Sequence, residues 1–364
     1  MAIEELHVCG YRSIREMRLS LGQLNVLVGP NGCGKTNLYR AMFLLARAAE
    51  GQLAPTLAEE GGMPSVLWAG ERRHKNDPVR MTLAVRIDRL EYELQCGLPR
   101  PAPTAFSLDP LVKEEHVWFL DGRKKVRLLE RDHTSVFARN SEGIRVAYPM
   151  ALSESESVLS QLRDPQQFPA LSALCQEFFN WRFYHQFRTD PESPLRHPQV
   201  GVRSPVLSHD GRNLAAALQT ILEIGDHEAL QGAIGRISPG AHLVIEHPQA
   251  RFHITLQTRE FRRSFHAWEL SDGTLHYLCL LAALLSPRPP LLLALNEPEG
   301  SIHPDLLDPL AELMARASRH SQLWITTHSE KLAGHIQRHS GATPIVLEKV
   351  GGETRVASAG PFRA

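Results

Sequence analysis

The chain has 364 residues, 43% of them apolar, enough for one large or two smaller domains. Forty basic residues balance forty acidic ones, so no global charge points to nucleic acid. Five scattered cysteines without a CxxC pair fit reduced thiols better than a disulfide scaffold or a zinc site.

The opening "MAIEELHVCGYRSIRE" has early acids and no apolar leader core. The longest apolar run, "LHYLCLLAALL", is about half the ~20 residues a membrane helix needs. The expectation is a soluble, cytoplasmic protein with no membrane partner.

Residues 3–28 read as two short strands, "IEELHVCGYRSI" and "MRLSLGQLNVLVG", with "LNVLV" as a buried central segment. A Gly-rich turn leads into "KTNLYRAMFLLARAAEG". Its apolar positions 38, 41, 42, 45, 46 and 49 have the spacing of an amphipathic helix closed by Gly51. Residues 51–70 read as a loop. From 79 to about 149 the texture is β, with "PRPAP" (99–103) as an exposed loop. Residues 153–180 look helical, "WRFYHQF" reads as a strand, and "RTDPESPLRHPQVGVRSP" as a Pro-rich loop. After the helix "DGRNLAAALQTILEIG", strands ("AHLVIEH", "RFHITLQ", "PLLLALNE", "QLWIT") alternate with helices ("TLHYLCLLAALLSP", "PDLLDPLAELMARASRH"). Alternation of helix and buried strand predicts a mostly parallel α/β sheet.

The segment "GPNGCGKT", residues 29–36, fits G-x-x-x-x-G-K-[ST] between a predicted strand and a predicted helix. Glycines let backbone N–H groups turn inward around phosphates, and the helix N-terminus adds its positive dipole end. Gly29, Pro30, Asn31, Gly32, Cys33, Gly34, Lys35, Thr36 and Asn37 are therefore the nucleotide-binding candidates. Lys35 supplies charge to the β/γ-phosphates, the Thr36 hydroxyl ligates magnesium, and Cys33 fills a small-residue slot. The implied cofactors are ATP and Mg2+.

"GPNGCGKTN", "ELSDGT", "LLLALNEPE" followed by "GSIHPD", and "WITTHSE" stand in an order and spacing that resembles the ABC-class ATPases of the RecF/SMC/OLD type, in particular the small ones without long coiled coils. The resemblance runs from residue 3 to about 335. It implies a P-loop NTPase fold: an ABC-type ATPase head with a mixed β-sheet lobe, a parallel-sheet lobe and a helical insertion. The expected division is 1–150, 151–235 and 236–364, all within one head. It implies that "LSDGT" is the signature motif, whose Ser271 and Gly273 amide cap the γ-phosphate bound to a second subunit. It makes Glu297 the general base, His328 the switch histidine and "GSIHP" (300–304) the D-loop, with Lys35 a third catalytic residue. The magnesium-sensing Q-loop residue is Gln186, with His185 and Arg188 as rivals. Tyr11 or Arg12 meets the adenine or phosphate side, or is a sheet residue without a ligand.

Asn296 stands where the family pattern has Asp. An amide oxygen still ligates a hard cation but brings no negative charge, so magnesium is expected to be held less tightly. Lys35, Glu297, Ser271 and His328 all match the pattern, which favours a slow or metal-demanding ATPase over a dead one. Glu299 reads as solvated, or else as a source of the missing charge.

The resemblance further implies a homodimer with ATP sandwiched between subunits. One output is an ATP-gated dimer acting on DNA in maintenance, repair or defence, with basic clusters at 71–75, 122–131 and 259–263 as phosphate contacts. The alternative is a regulatory ATPase controlling a separate effector, a nuclease or toxin, without touching DNA. A transporter ATP-binding subunit ranks last. Residues 329–364 are too few for the nuclease domain that OLD-type proteins carry.

Overall fold

Alternating burial along strands and continuous burial along others sort this chain into two kinds of sheet. The computed structural model describes residues 2–71, 79–101, 103–147, 153–161 and 164–357. They form a mixed α/β structure with several sheets, grouped into two compact units. The first comprises the described residues within 2–22, 29–181 and 345–357; the second, those within 23–28 and 182–344. This grouping and the three-part division read from sequence cut the chain at different places.

The first unit is built on an eight-stranded antiparallel sheet. Its order is Ile14–Ser20, Ile3–Tyr11, Arg80–Ile87, Leu90–Gly97, Leu111–Asp121, Lys124–Asp132, Ser135–Arg139, Arg145–Ala147. In Arg80–Ile87 the large buried residues Met81, Leu83, Val85 and Ile87 alternate with half-buried Arg80, Thr82 and Arg86 and with the small, buried Ala84, close to the pattern of a one-faced sheet. In Ile3–Tyr11 the buried set is Ile3, Leu6, Val8 and Tyr11. A register shift between Ile3 and Glu5 re-phases the alternation.

The helix Lys35–Ala49 packs against Ile3–Tyr11, Leu53–Glu59 and Pro169–Phe179. All six apolar positions expected to face inward are buried. Leu38, Met42 and Leu45 each contribute about 1.5–3 kcal/mol by leaving water. A buried pair, Glu115 and Arg131, pins residues 153–158 to the sheet. Glu115 accepts from the Tyr92 and Ser157 hydroxyls and from the Val158 N–H, and Arg131 donates to the carbonyls of His133, Ser153 and Glu156. The hairpin Ile345–Val350 with Glu353–Val356 completes this unit.

The second unit has a parallel sheet ordered Arg182–Tyr184, Leu292–Asn296, Gln322–Thr327, Leu24–Val28. Gln322–Thr327 is buried at all six positions, the mark of a strand covered on both faces. Helices Leu214–Ile224, His227–Gly235, Asp272–Leu284, Leu307–Ala317 and Glu330–Ser340 belong to this unit. So does a small antiparallel sheet of Gln199–Val200, Arg251–Gln257, His242–Glu246 and Phe265–His266.

Several expectations change in detail. Residues 3–28 hold three strands, because Arg12 adopts a left-handed φ of 49° and folds the first segment into a hairpin. The expected loop 51–70 contains the helices Leu53–Glu59 and Met63–Val66. The helical stretch 153–180 is reduced to Val158–Gln161 and Pro169–Phe179, and the strand in "WRFYHQF" to three residues.

Candidate functional site

The P-loop lies in the first unit. Gly34 caps the helix Lys35–Ala49 at φ 109°, and Gly32 sits at φ 76°, conformations that strain any other residue. Space is as restrictive as torsion. A Cβ on Gly34 would lie 2.1 Å from Thr354 Oγ1, and one on Gly29 2.4 Å from the Leu347 carbonyl and 2.8 Å from Cys33 Sγ. The C-terminal hairpin therefore lies directly against the loop. Lys35 is buried, and its ammonium donates to the carbonyls of Gly29 at 2.7 Å and Pro30 at 3.1 Å. These bonds curl the loop round its own lysine and hold the charge at the helix N-terminus, where phosphate binds. A backbone cradle that only glycines can form, with a lysine inside it, fits a nucleotide phosphate chain.

Pro30, Asn31 and Gly32 are exposed, Thr36 and Asn37 half-buried. Cys33 is buried, as a small-residue slot requires. The Asn37 amide donates to Ser13 Oγ at 2.8 Å, and Ser13 Oγ lies 2.7 Å from Thr354 Oγ1. Tyr11 is fully buried and donates to Glu60 at 3.1 Å. Arg12 and Arg40 donate to the same carboxylate. Burial, then the Glu60 charge, pushes the Tyr11 phenol well above its ordinary pKa. Tyr11 is thus anchored in the core of the first unit.

The carboxylate end lies in the second unit. Parallel register places Asn296 opposite Thr326, at the C-terminal ends of adjacent strands, where ligands of open α/β sheets collect. Thr326 Oγ1 donates to Asn296 Oδ1 at 2.8 Å. The Glu297 N–H donates to the Thr326 carbonyl at 2.8 Å, with Glu297 at φ 48°. A left-handed non-glycine residue costs roughly 1–3 kcal/mol and persists where its surroundings fix it. His328 Nδ1 is 3.8 Å from Glu297 Oε1 and 3.3 Å from Glu299 Oε1. Asn296, Glu297 and His328 therefore lie together at this strand end. Gln186 is exposed, two residues past Tyr184, whose pairing with Leu295 puts it at the same sheet end. Its rival Arg188 is committed to Asp190 by two 2.9 Å bonds.

Ser271 caps the helix Asp272–Leu284, accepting from the Thr274 N–H at 3.2 Å. Gly273 faces Ser301: a Cβ there would lie 2.2 Å from the Ser301 carbonyl. One turn further on, His276 Nε2 donates to the Pro298 carbonyl at 3.2 Å, and burial lowers the imidazole's pKa. The turn at 273–276 and the segment 298–301 are thus in direct contact within one chain.

Sequence reasoning named Glu299 but missed its burial. Expected to be solvated, it is buried, because Thr327 and the backbone of residues 328–329 donate to it. The second acid of "EPE" was the available signal. Thr36 and Asn296 offer a hydroxyl and an amide oxygen, donors suited to a hard cation but carrying no charge. No group of three or more His, Cys, Asp or Glu residues among the described residues forms a metal cluster of its own.

Residues 24–333 match the family described as "AAA domain, putative AbiEii toxin, Type IV TA system". Over 101 residues the chain is 30% identical to the DNA replication and repair protein RecF of Shewanella loihica, covering 28% of this chain and 24% of that protein. Over 50 residues it is 40% identical to an uncharacterised protein of Methanocaldococcus jannaschii, covering 14% and 23%. The matched stretches thus span about a quarter of those relatives' lengths. The fold is similar to an Smc head bound to the C-winged helix domain of ScpA, with TM-score 0.56, 15% identity and coverage of 99% and 98%. It is also similar to an Smc head with an extended coiled coil bound to the C-terminal domain of ScpA, from Pyrococcus furiosus, with TM-score 0.53, 15% identity and coverage of 98% and 96%.

Proposed function

This chain belongs to the AAA-domain family matched over residues 24–333; on that premise we propose that it is a P-loop ATPase of the RecF/SMC type that binds ATP with magnesium, hydrolyses it slowly, and works as a dimer that ATP closes and hydrolysis opens. The observation that carries this reading is the glycine cradle of residues 29–36 with Lys35 inside it. In this reading the loop amides and Lys35 hold the phosphate chain, Thr36 and Asn296 contribute magnesium ligands, and Gln186 senses the metal. Glu297 orients the attacking water and takes its proton, and His328 touches the γ-phosphate. Ser271 and the Gly273 amide of a second copy cap that phosphate. When bound, magnesium supplies charge neutralisation on the phosphates. Because Asn296 brings no charge, magnesium binding is the weak link.

The direct test is nucleotide binding and turnover by the wild type beside Lys35→Ala. ATP affinity that survives Lys35→Ala would remove the P-loop assignment, and a wild type that binds ATP without releasing phosphate would reduce the reading to a nucleotide switch.

As output we favour action on DNA, in maintenance, repair or defence, which the printed name of the RecF relative supports. The basic hairpin at 122–131 lends it little, because its charges are partly spent. Lys125 is 2.9 Å from Glu91, and Arg127 and Arg145 share Glu130. In the 259–263 cluster, Arg263 pairs with Glu269 at 2.7 Å. Residues 72–75 of the third cluster lie outside the described residues. Control of a separate effector protein is the second reading, favoured by the similar Smc heads being bound to ScpA domains. DNA that accelerates ATP turnover with steep salt dependence supports the first; turnover indifferent to DNA supports the second.

A further inference from the structure

The turn after Glu297 carries a second carboxylate in a very different setting. The Glu299 side chain is 7% exposed, against 39% for Glu297. Its Oε1 accepts from the Thr327 hydroxyl, from the His328 N–H at 3.0 Å and from the Ser329 N–H at 3.2 Å. The same oxygen is the nearer of the two carboxylates to His328 Nδ1, at 3.3 Å. Its Oε2 is buried without a hydrogen-bond partner among the described residues. Desolvating a carboxylate is costly unless donors compensate, and here they come from three consecutive residues of the segment bearing the switch histidine. Ser329 extends the connection by capping the helix Glu330–Ser340. At its other end the turn touches the signature helix, through His276 on the Pro298 carbonyl and Gly273 on the Ser301 carbonyl.

We propose that Glu299 is the positioning residue of the switch histidine: it clamps residues 327–329 and fixes the Nδ1 edge of His328, leaving Nε2 for a ligand. The turn 297–301 then links the signature helix to His328. A shift of the signature turn reaches the switch through Pro298 and Glu299. What His328 does to a nucleotide rests on the ATPase reading above; the clamp itself does not.

The test compares wild type, Glu299→Ala, Glu299→Gln and Thr327→Val, each with and without His328→Ala, by hydrogen–deuterium exchange and ATP turnover. Glu299→Ala is expected to speed exchange of the residue 328 and 329 amides at least tenfold. It should lower kcat by about 30-fold, since displaced reacting groups cost up to ~100-fold, while ATP affinity stays within about twofold. It should cost nothing more when His328→Ala is already present. Glu299→Gln keeps an acceptor oxygen and should leave exchange near wild type with a smaller loss of kcat; it decides the rate question should the alanine variant fold poorly. Unchanged amide exchange in Glu299→Ala, or a rate loss that adds in full to that of His328→Ala, overturns the proposal. A wild type that neither binds nor hydrolyses ATP overturns the ATPase reading, while amide exchange still decides the clamp.

Discussion

The P-loop and the strand-end cluster both manage charge, and they do it by opposite means. In the loop the work is done by the main chain. Gly32 and Gly34 sit at φ 76° and 109°, Gly34 and Gly29 leave no room for a side chain, and Lys35 is held by two carbonyls of its own loop. At the strand ends side chains carry it. Carboxylates 297 and 299 face one histidine at 3.8 and 3.3 Å, one half-exposed and the other buried among donors. A main-chain device tolerates almost no substitution and announces itself in sequence. A side-chain device tolerates exchange, as Asn296 illustrates, and its members are identified only by where they are buried.

Breaking the first region should have the larger effect. Lys35→Ala is expected to weaken ATP binding about 100-fold or more, the scale of a lost charge-assisted contact, as read by fluorescent-nucleotide titration. Glu297→Gln should lower turnover about 100-fold or more while ATP still binds, the scale of a lost general base. It should also accumulate an ATP-bound dimer in size-exclusion chromatography; a variant that stays monomeric with ATP would remove the sandwich. Gly34→Ala should cost about 1–3 kcal/mol of stability from the left-handed backbone alone, with the Thr354 contact adding to it. Adding Thr354→Gly, which also removes the Thr354 Cβ at 2.9 Å, should recover only the steric part, which separates space from torsion in thermal melts. Asn296→Asp sharpens the contrast from the tolerant side: the magnesium concentration for half-maximal turnover should fall several-fold, and an unchanged value would make the amide neutral.

The smallest effect concerns pH. Burial lowers the His276 pKa below its ordinary 6.5, so the folded protein keeps this ring neutral where the unfolded chain protonates it. Its contribution is therefore complete above about 6.5 and is lost progressively as pH falls through the lowered folded value. His276→Asn should flatten the stability profile between pH 7 and 5 measured by denaturant unfolding.

The P-loop was legible because no other residue types satisfy its torsions and close approaches. The parallel strands were legible from their unbroken apolar runs, and the helix Lys35–Ala49 from its period. Glu299 was not, because an acid after Pro298 has no local reason to be buried; Thr327 and the turn before the next helix provide it. Tyr11 offered two readings that only Glu60, 49 residues away, separates. The helix Glu330–Ser340 was within reach and went unassigned. Ser329 caps it, Glu330 lies in its first turn, and Gly341 at φ 73° ends it. The helices at 53–59 and 63–66 offered less, since neither has a side-chain cap.

The 2.2 Å approach at Gly273 bears on how mixed-subunit experiments are designed. On the proposed sandwich, changing Gly273 in one copy would be read as a loss at the nucleotide bound by the other. In this protein a methyl group at 273 would first strike the Ser301 carbonyl of its own chain and displace the turn that carries Glu297 and Glu299. On the proposed sandwich of two copies, such a variant would damage both half-sites and mimic a cooperative enzyme. Ser271, exposed and bonded within its own cap, is the position at which the two copies of the proposed dimer could be told apart.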